Sequence, residues 1–162
     1  MKLLVQKGYG QSCGYKSFLN DARNIERFIE TKKNKMGALN IKGASSQKVQ
    51  QFLYGGIIKK LGYKSEKKQD YFVPDFIKLS NKLGIIIEVE RGKTVNNNMD
   101  FIDFWKCHIH PKCNMLIIIV PNTVPRSQNK TVKVYPFVVR RMAPLFEKKN
   151  YTNVKALAII PY

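Results

Sequence analysis

Leu83 to Val89 is an apolar run carrying a single glutamate, and Glu90 follows directly: Leu83-Gly84-Ile85-Ile86-Ile87-Glu88-Val89-Glu90. A run of branched apolar residues this short reads as a strand, which puts its acids in the core. The order of helices and strands read along the chain points to an α/β architecture. Glu88 and Glu90 are two residues apart, so on a strand both side chains leave the same face, roughly 7 Å from each other. A third acid, Asp75, follows Pro74 in the preceding strand-like stretch. Two unpaired like charges in a core are costly and raise at least one pKa. Acids are also scarce here, 11 Asp+Glu against 29 Lys+Arg. A hard divalent cation removes the repulsion, because such ions take carboxylate and carbonyl oxygens. Mg²⁺, with Mn²⁺ as a substitute, is the expected cofactor.

The rest of the chain builds a frame around that strand. Residues 1–16, with Gly8, Gly10 and Gly14, read as irregular. A helix is expected over 17–33, with Phe18, Ile25, Phe28 and Ile29 as its apolar stripe. Residues 34–45 read as a loop. A second helix, capped by Ser45 or Ser46, buries Val49, Phe52, Leu53, Ile57, Ile58 and Leu61 and stops at Gly62. Residues 71–79 read as a strand in which Pro74 forces an edge or bulged position. With 83–90 this strand forms a hairpin. A helix over 97–109 is expected to bury Met99, Ile102, Trp105 and Ile109. A buried strand over 115–120, a polar loop over 122–131, a short strand at 132–135, a helix over 138–148 and a last strand over 154–160 complete the order. One domain over 1–162 is expected, with a helical and loop region at 1–45 and a core at 46–162 holding a mixed sheet flanked by helices.

The formal net charge of +18 calls for a polyanionic partner. Nucleic acid fits, since Lys and Arg on phosphates release condensed counterions. No apolar run reaches the ~20 residues of a membrane span, and the start lacks a signal-peptide core. Three cysteines make an odd, sparse set suited to a reducing compartment. A soluble, cytoplasmic protein is expected, without a membrane partner.

Pro74-Asp75, twelve intervening residues, and Glu88-Val89-Glu90 resemble the motif of the PD-(D/E)xK nuclease superfamily, which includes many type II restriction endonucleases. The resemblance spans roughly residues 46–120. It implies a restriction-endonuclease-like fold and a Mg²⁺-dependent endonuclease that hydrolyses double-stranded DNA without a covalent intermediate. It departs from most members at Glu90, where they carry Lys; some restriction enzymes are similar in having Glu there. Asp75 and Glu88 are the expected metal ligands, with the Val89 carbonyl. Glu90 binds a second metal or orients the attacking water. Lys93 holds the scissile phosphate, and Lys93 or Lys106 replaces the missing amine. A two-fold target implies a homodimer, and a restriction enzyme implies a DNA methyltransferase acting on the same site. A repair nuclease or junction resolvase is the alternative within the class. A non-catalytic basic nucleic-acid-binding module, with the acids as salt-bridge partners, is the alternative outside it.

The residues expected to contact DNA are Arg91, Lys59, Lys60 and Lys64 for phosphates, and Arg126 and Gln128 for base edges. Cys107, His108, His110 and Cys113 invite a zinc reading, but the spacing departs from C-x₂-C and a structural role is favoured. Trp105 reads as core rather than as a platform for a base.

Overall fold

The computed structural model describes residues 1–40, 45–65, 73–80, 83–91, 94–126, 130–147 and 152–162. In chain order its elements are β1 (Lys2–Val5), α1 (Cys13–Thr31), α2 (Lys33–Leu39), α3 (Ser46–Leu53), β2 (Phe76–Ser80), β3 (Leu83–Val89), α4 (Thr94–Asn97), α5 (Met99–Ile109), β4 (Met115–Val120), β5 (Thr123–Pro125), β6 (Thr131–Lys133), α6 (Tyr135–Met142) and β7 (Ala156–Pro161). Five strands form one mixed sheet in the order β1-β7-β4-β3-β2. β3, β4 and β7 run parallel, with Ile87 opposite Ile117 and Ile117 opposite Ala158. The two outer strands run antiparallel to them, β2 against β3 and β1 against β7. β5 and β6 make a separate antiparallel ribbon. The protein is therefore a mixed α/β structure.

The alternation of side chains along the central strands explains the layers. Ile85, Ile87, Val89, Met115, Ile117 and Ile119 face α1 and α3, meeting Phe18, Ile25, Ile29, Val49 and Leu53. Ile86, Leu116, Ile118, Leu157 and Ile159 face the other way, onto Phe104 and Cys107 of α5 and Val138 and Met142 of α6. A parallel strand covered on both faces carries apolar residues throughout, which is why β3 and β4 show no alternation in sequence.

α1 begins earlier than the apolar stripe suggests, because the Ser12 hydroxyl accepts the Tyr15 N–H at 3.1 Å and caps it. α3 continues through a π-turn at Tyr54–Ile58, closed by a Lys59 N–H to Tyr54 carbonyl bond of 3.1 Å. Gly56 in that turn lies under the Phe28 ring, where a Cβ would stand 2.2 Å from it. Gly62, at φ +85, ends the run as the sequence implies. The Tyr63 N–H reaches back to Ile58 and the Gly62 N–H to Lys59, a Schellman stop.

Several expectations change. Residues 34–45, read as a loop, hold most of α2, and the loop read over 122–131 holds β5, because neither segment is long enough to show a period. The strand read from residue 71 begins at Phe76, after Pro74, with 71–72 outside the described residues. Residues 2–5, read as irregular, form edge strand β1; four residues are too few to show a period, and their partner β7 lies at the far end of the chain. The reading of α5 has the wrong face inside. Asp100, Asp103, Phe104 and Cys107 are buried, while Ile102, Trp105 and Ile109 are 43%, 52% and 49% exposed. The outward stripe is the more apolar one, so a reading by hydrophobic period selects it. What it misses is that the inward acids have partners. Among the described residues no helix is long and apolar enough to cross a membrane.

Candidate functional site

The sheet topology brings the three acids of the sequence motif together. β2 runs antiparallel to β3, so Asp75, just before β2, lies beside the carboxyl end of β3. The Asp75 N–H donates to Glu88 Oε2 at 3.3 Å, and Asp75 Oδ2 accepts the Val89 N–H at 2.8 Å. Asp75 also takes a hydrogen bond from the Gln50 side chain of α3. Glu88 is buried, on the face that α5 covers. Glu90 is half-buried; its N–H pairs with the Ile119 carbonyl at 2.8 Å, and its Oε2 accepts the Thr94 hydroxyl at 3.3 Å. The Tyr162 hydroxyl closes over the Glu90 carbonyl at 3.2 Å.

Helix α5 adds two groups. Lys106 Nζ donates to Glu88 Oε1 at 3.1 Å and to Asp103 Oδ1 at 2.9 Å. Asp103 is fully buried. Its negative charge is the largest electrostatic influence on both Glu88 and Glu90. Sequence reasoning did not select Asp103, because its helix face was read as the outer one. The signal was present in the i, i+3 spacing of Asp103 and Lys106, which places an acid and an amine on one face.

The electrostatics follow from burial. Loss of water, then the charges of Asp103 and Asp75, push the Glu90 carboxyl up to about 8. Asp103 rises to about 6 through burial, against the pull of Lys106. Burial first, then Asp103, drives Glu88 well above the carboxylate range. Burial raises Asp75 as well, offset in part by the Val89 N–H and the Lys106 charge. Lys106 is held charged: Glu88 and Asp103 raise it despite burial. Four carboxyls thus gather around the Lys106 ammonium, and every one of them is easier to protonate than in water.

Carboxylate and carbonyl oxygens are the donors a hard cation takes. As the side chains lie, no three His, Cys, Asp or Glu among the described residues are arranged as metal ligands. Glu88 is instead turned to Lys106, and Asp75 to the Val89 N–H.

The other expected residues separate. Arg91 is half-buried next to the acids, and its charge acts on the Tyr162 phenol. Lys59 and Lys60 are exposed at the end of the α3 run, roughly 13 Å along the axis from Gln50, and do not join the acid cluster. Lys64 is exposed on the outer edge of β2, paired with Ile77 through two bonds of 2.9 Å. Arg126 is exposed on the β5–β6 ribbon. β4 ends beside Glu88, and the Asn122 N–H bonds the Tyr162 carbonyl at 2.7 Å, so this ribbon leaves the sheet at the acid end. Lys93 and Gln128 lie outside the described residues.

The zinc reading finds no support. Cys107 and Cys113 point into the core, both buried. The two imidazoles accept backbone N–H groups at Nδ1, His108 from Asn153 at 3.0 Å and His110 from Lys112 at 3.2 Å. Each neutral ring therefore carries its proton on Nε2, the wrong tautomer for ligation through that nitrogen.

No protein-family model matches the chain, and no curated protein matches it.

Proposed function

We propose that this chain is a divalent-metal-dependent DNA endonuclease of the PD-(D/E)xK kind, with a restriction-endonuclease-like core, acting on double-stranded DNA as a homodimer. The observation that carries this reading is the meeting of Asp75, Glu88 and Glu90 at the carboxyl end of β3 with the Lys106 amine among them. Ligand sites in α/β sheets favour that end of the strands. Asp75, Glu88 and the Val89 carbonyl would hold Mg²⁺ or Mn²⁺, with Glu90 at its side. Such an ion, when bound, supplies charge neutralisation at the attacked phosphate and a more acidic water.

The chain's own residues have distinct tasks in this reading. Glu90, held charged when a cation is alongside, would orient the attacking water and accept its proton. Lys106 provides the amine that the motif lacks at position 90, and its ammonium stabilises charge on the phosphate. Arg91 and Lys64 position the DNA backbone, and Arg126 of the ribbon meets the bases. A high positive charge supports polyanion binding in a cytoplasmic setting. A type II restriction role, with a methyltransferase protecting the same site, is preferred over a repair or junction-resolving role.

One observation favours the non-catalytic rival. Lys106 already pairs with Glu88 and Asp103, as a structural ion network would require. Cleavage separates the two. Plasmid and phage DNA incubated with the protein should yield discrete fragments with Mg²⁺ and none with EDTA. Glu88→Ala should abolish cutting by at least about 100-fold while DNA binding is kept. Salt-sensitive binding with no strand breaks on duplex or branched DNA would establish the binding module instead.

A further inference from the structure

Lys106 sits where a cation belongs. Its two contacts differ in kind. Asp103 is one turn away on the same helix, so the 2.9 Å pair is fixed to a single rigid element. Glu88 comes from β3, so the 3.1 Å pair breaks if the carboxylate turns. Asp103 is buried and also shares a side-chain hydrogen bond with the Glu90 carboxyl, so both acids are tied to the Lys106 side of the cluster. Glu90 and Glu88 both feel its charge. Buried carboxyls gathered round one lysine place that ammonium at the position where a bound cation would compete for Glu88.

We propose that Lys106 is a built-in competitor for the divalent cation at Glu88. The ammonium balances the site until a cation takes Glu88, and Asp103 then retains the ammonium on α5, within reach of a phosphate. This inference rests on the cation-binding role given above to Asp75 and Glu88. Asp103 acts here through Lys106 and is a positioning residue. The arrangement makes cation binding and release of the lysine one event. An empty site therefore stays folded without metal, and the amine becomes available to DNA only once a cation is in place.

The test is Lys106→Met, which keeps the aliphatic stem and removes the charge. Mn²⁺ is the probe, its free concentration read by electron paramagnetic resonance, without DNA. The dissociation constant for Mn²⁺ should fall by about tenfold or more in the variant. Mn²⁺ should also raise the melting temperature of the variant more than that of the wild type. Lys106→Arg, which keeps the charge, should stay within about threefold of wild type. Should Lys106→Met not fold, Asp103→Asn is compared with Asp103→Asn/Lys106→Met, and loss of the lysine should again tighten Mn²⁺.

The outcomes are separable from those of the nuclease reading. Mg²⁺-dependent cleavage by the wild type, with Mn²⁺ no tighter in Lys106→Met, overturns the competition and leaves the nuclease standing. Tighter Mn²⁺ in Lys106→Met, with no cleavage of any DNA by the wild type, supports the competition and overturns the nuclease. If neither form binds Mn²⁺, both fall.

Discussion

Glu90→Gln should make the metal-free protein more stable at alkaline pH, and the size of the gain follows from the site. The Glu90 carboxyl moves from an ordinary value of 4.5 to about 8 because it is out of water beside Asp103 and Asp75. The folded state therefore binds this proton more tightly than the unfolded chain does. The stabilisation is complete below pH 4.5 and is lost as pH rises toward 8. At 1.36 kcal/mol per unit that window is worth roughly 5 kcal/mol. Asp103 takes up a proton in the same range and relieves part of the repulsion, which sets the realistic gain at about 2–5 kcal/mol. Gln resembles the protonated acid and can still accept the Thr94 hydroxyl, so it removes the pH-dependent loss without breaking that bond. Urea denaturation in EDTA, for both proteins at acid, neutral and alkaline pH, measures the difference. The two should match near pH 4.5 and diverge up to about pH 8. Excess Mg²⁺ should reverse the order, because a cation stabilises the charged Glu90 and not the amide. A constant difference across this range would show that Glu90 is a solvated surface acid and would remove the electrostatic argument for the site.

Two stability contrasts test the frame that carries it. Gly84→Ala should cost at least about 3 kcal/mol or prevent folding, because its Cβ would lie 1.9 Å from the Lys112 carbonyl oxygen, a backbone atom that cannot step aside. Gly56→Ala should cost clearly less in the same denaturation assay, since the obstacle there is the movable Phe28 ring. Phe104→Ala should lose about 3–5 kcal/mol from the buried face of α5, while Trp105→Ala, its exposed neighbour, should change stability by no more than about 1 kcal/mol. Equal losses at the two positions would mean that α5 is turned the other way, and Asp103 and Lys106 would then leave the site.

Local readings succeeded where the physics is local. Gly62 stops a helix because a left-handed residue is needed there, whatever packs nearby. The antiparallel pairing of β2 with β3 and the buried β4 follow from short apolar runs bounded by turn residues, and both are found, although β2 begins only at Phe76, after Pro74 and Asp75. α5 is the instructive miss. Its outward stripe of Ile102, Trp105 and Ile109 is more apolar than its inward one, so period alone chose the wrong side. The inward face is polar because Asp103 has Lys106 and Glu88 beneath it, and Asp100 has Arg141 at 3.3 Å. A helix that buries charge against charge can carry its apolar stripe on the outside, and only its neighbours reveal that the inward charge is paired.

From its sequence alone this chain must place Glu88 and Glu90 on a single face of an apolar strand. That follows from the two-residue repeat of a strand; the apolar layer on each side is set by the helices packed there. Which groups complete the cluster depended on the tertiary structure. Asp75 reaches Glu88 through antiparallel pairing, and Lys106 reaches it through the rotation of α5 about its own axis. Helix rotation is set by summed contacts with the sheet, a non-local quantity that no window of residues contains. For that reason Lys106 was one of two candidate amines in the sequence, and is the one that meets Glu88 among the described residues.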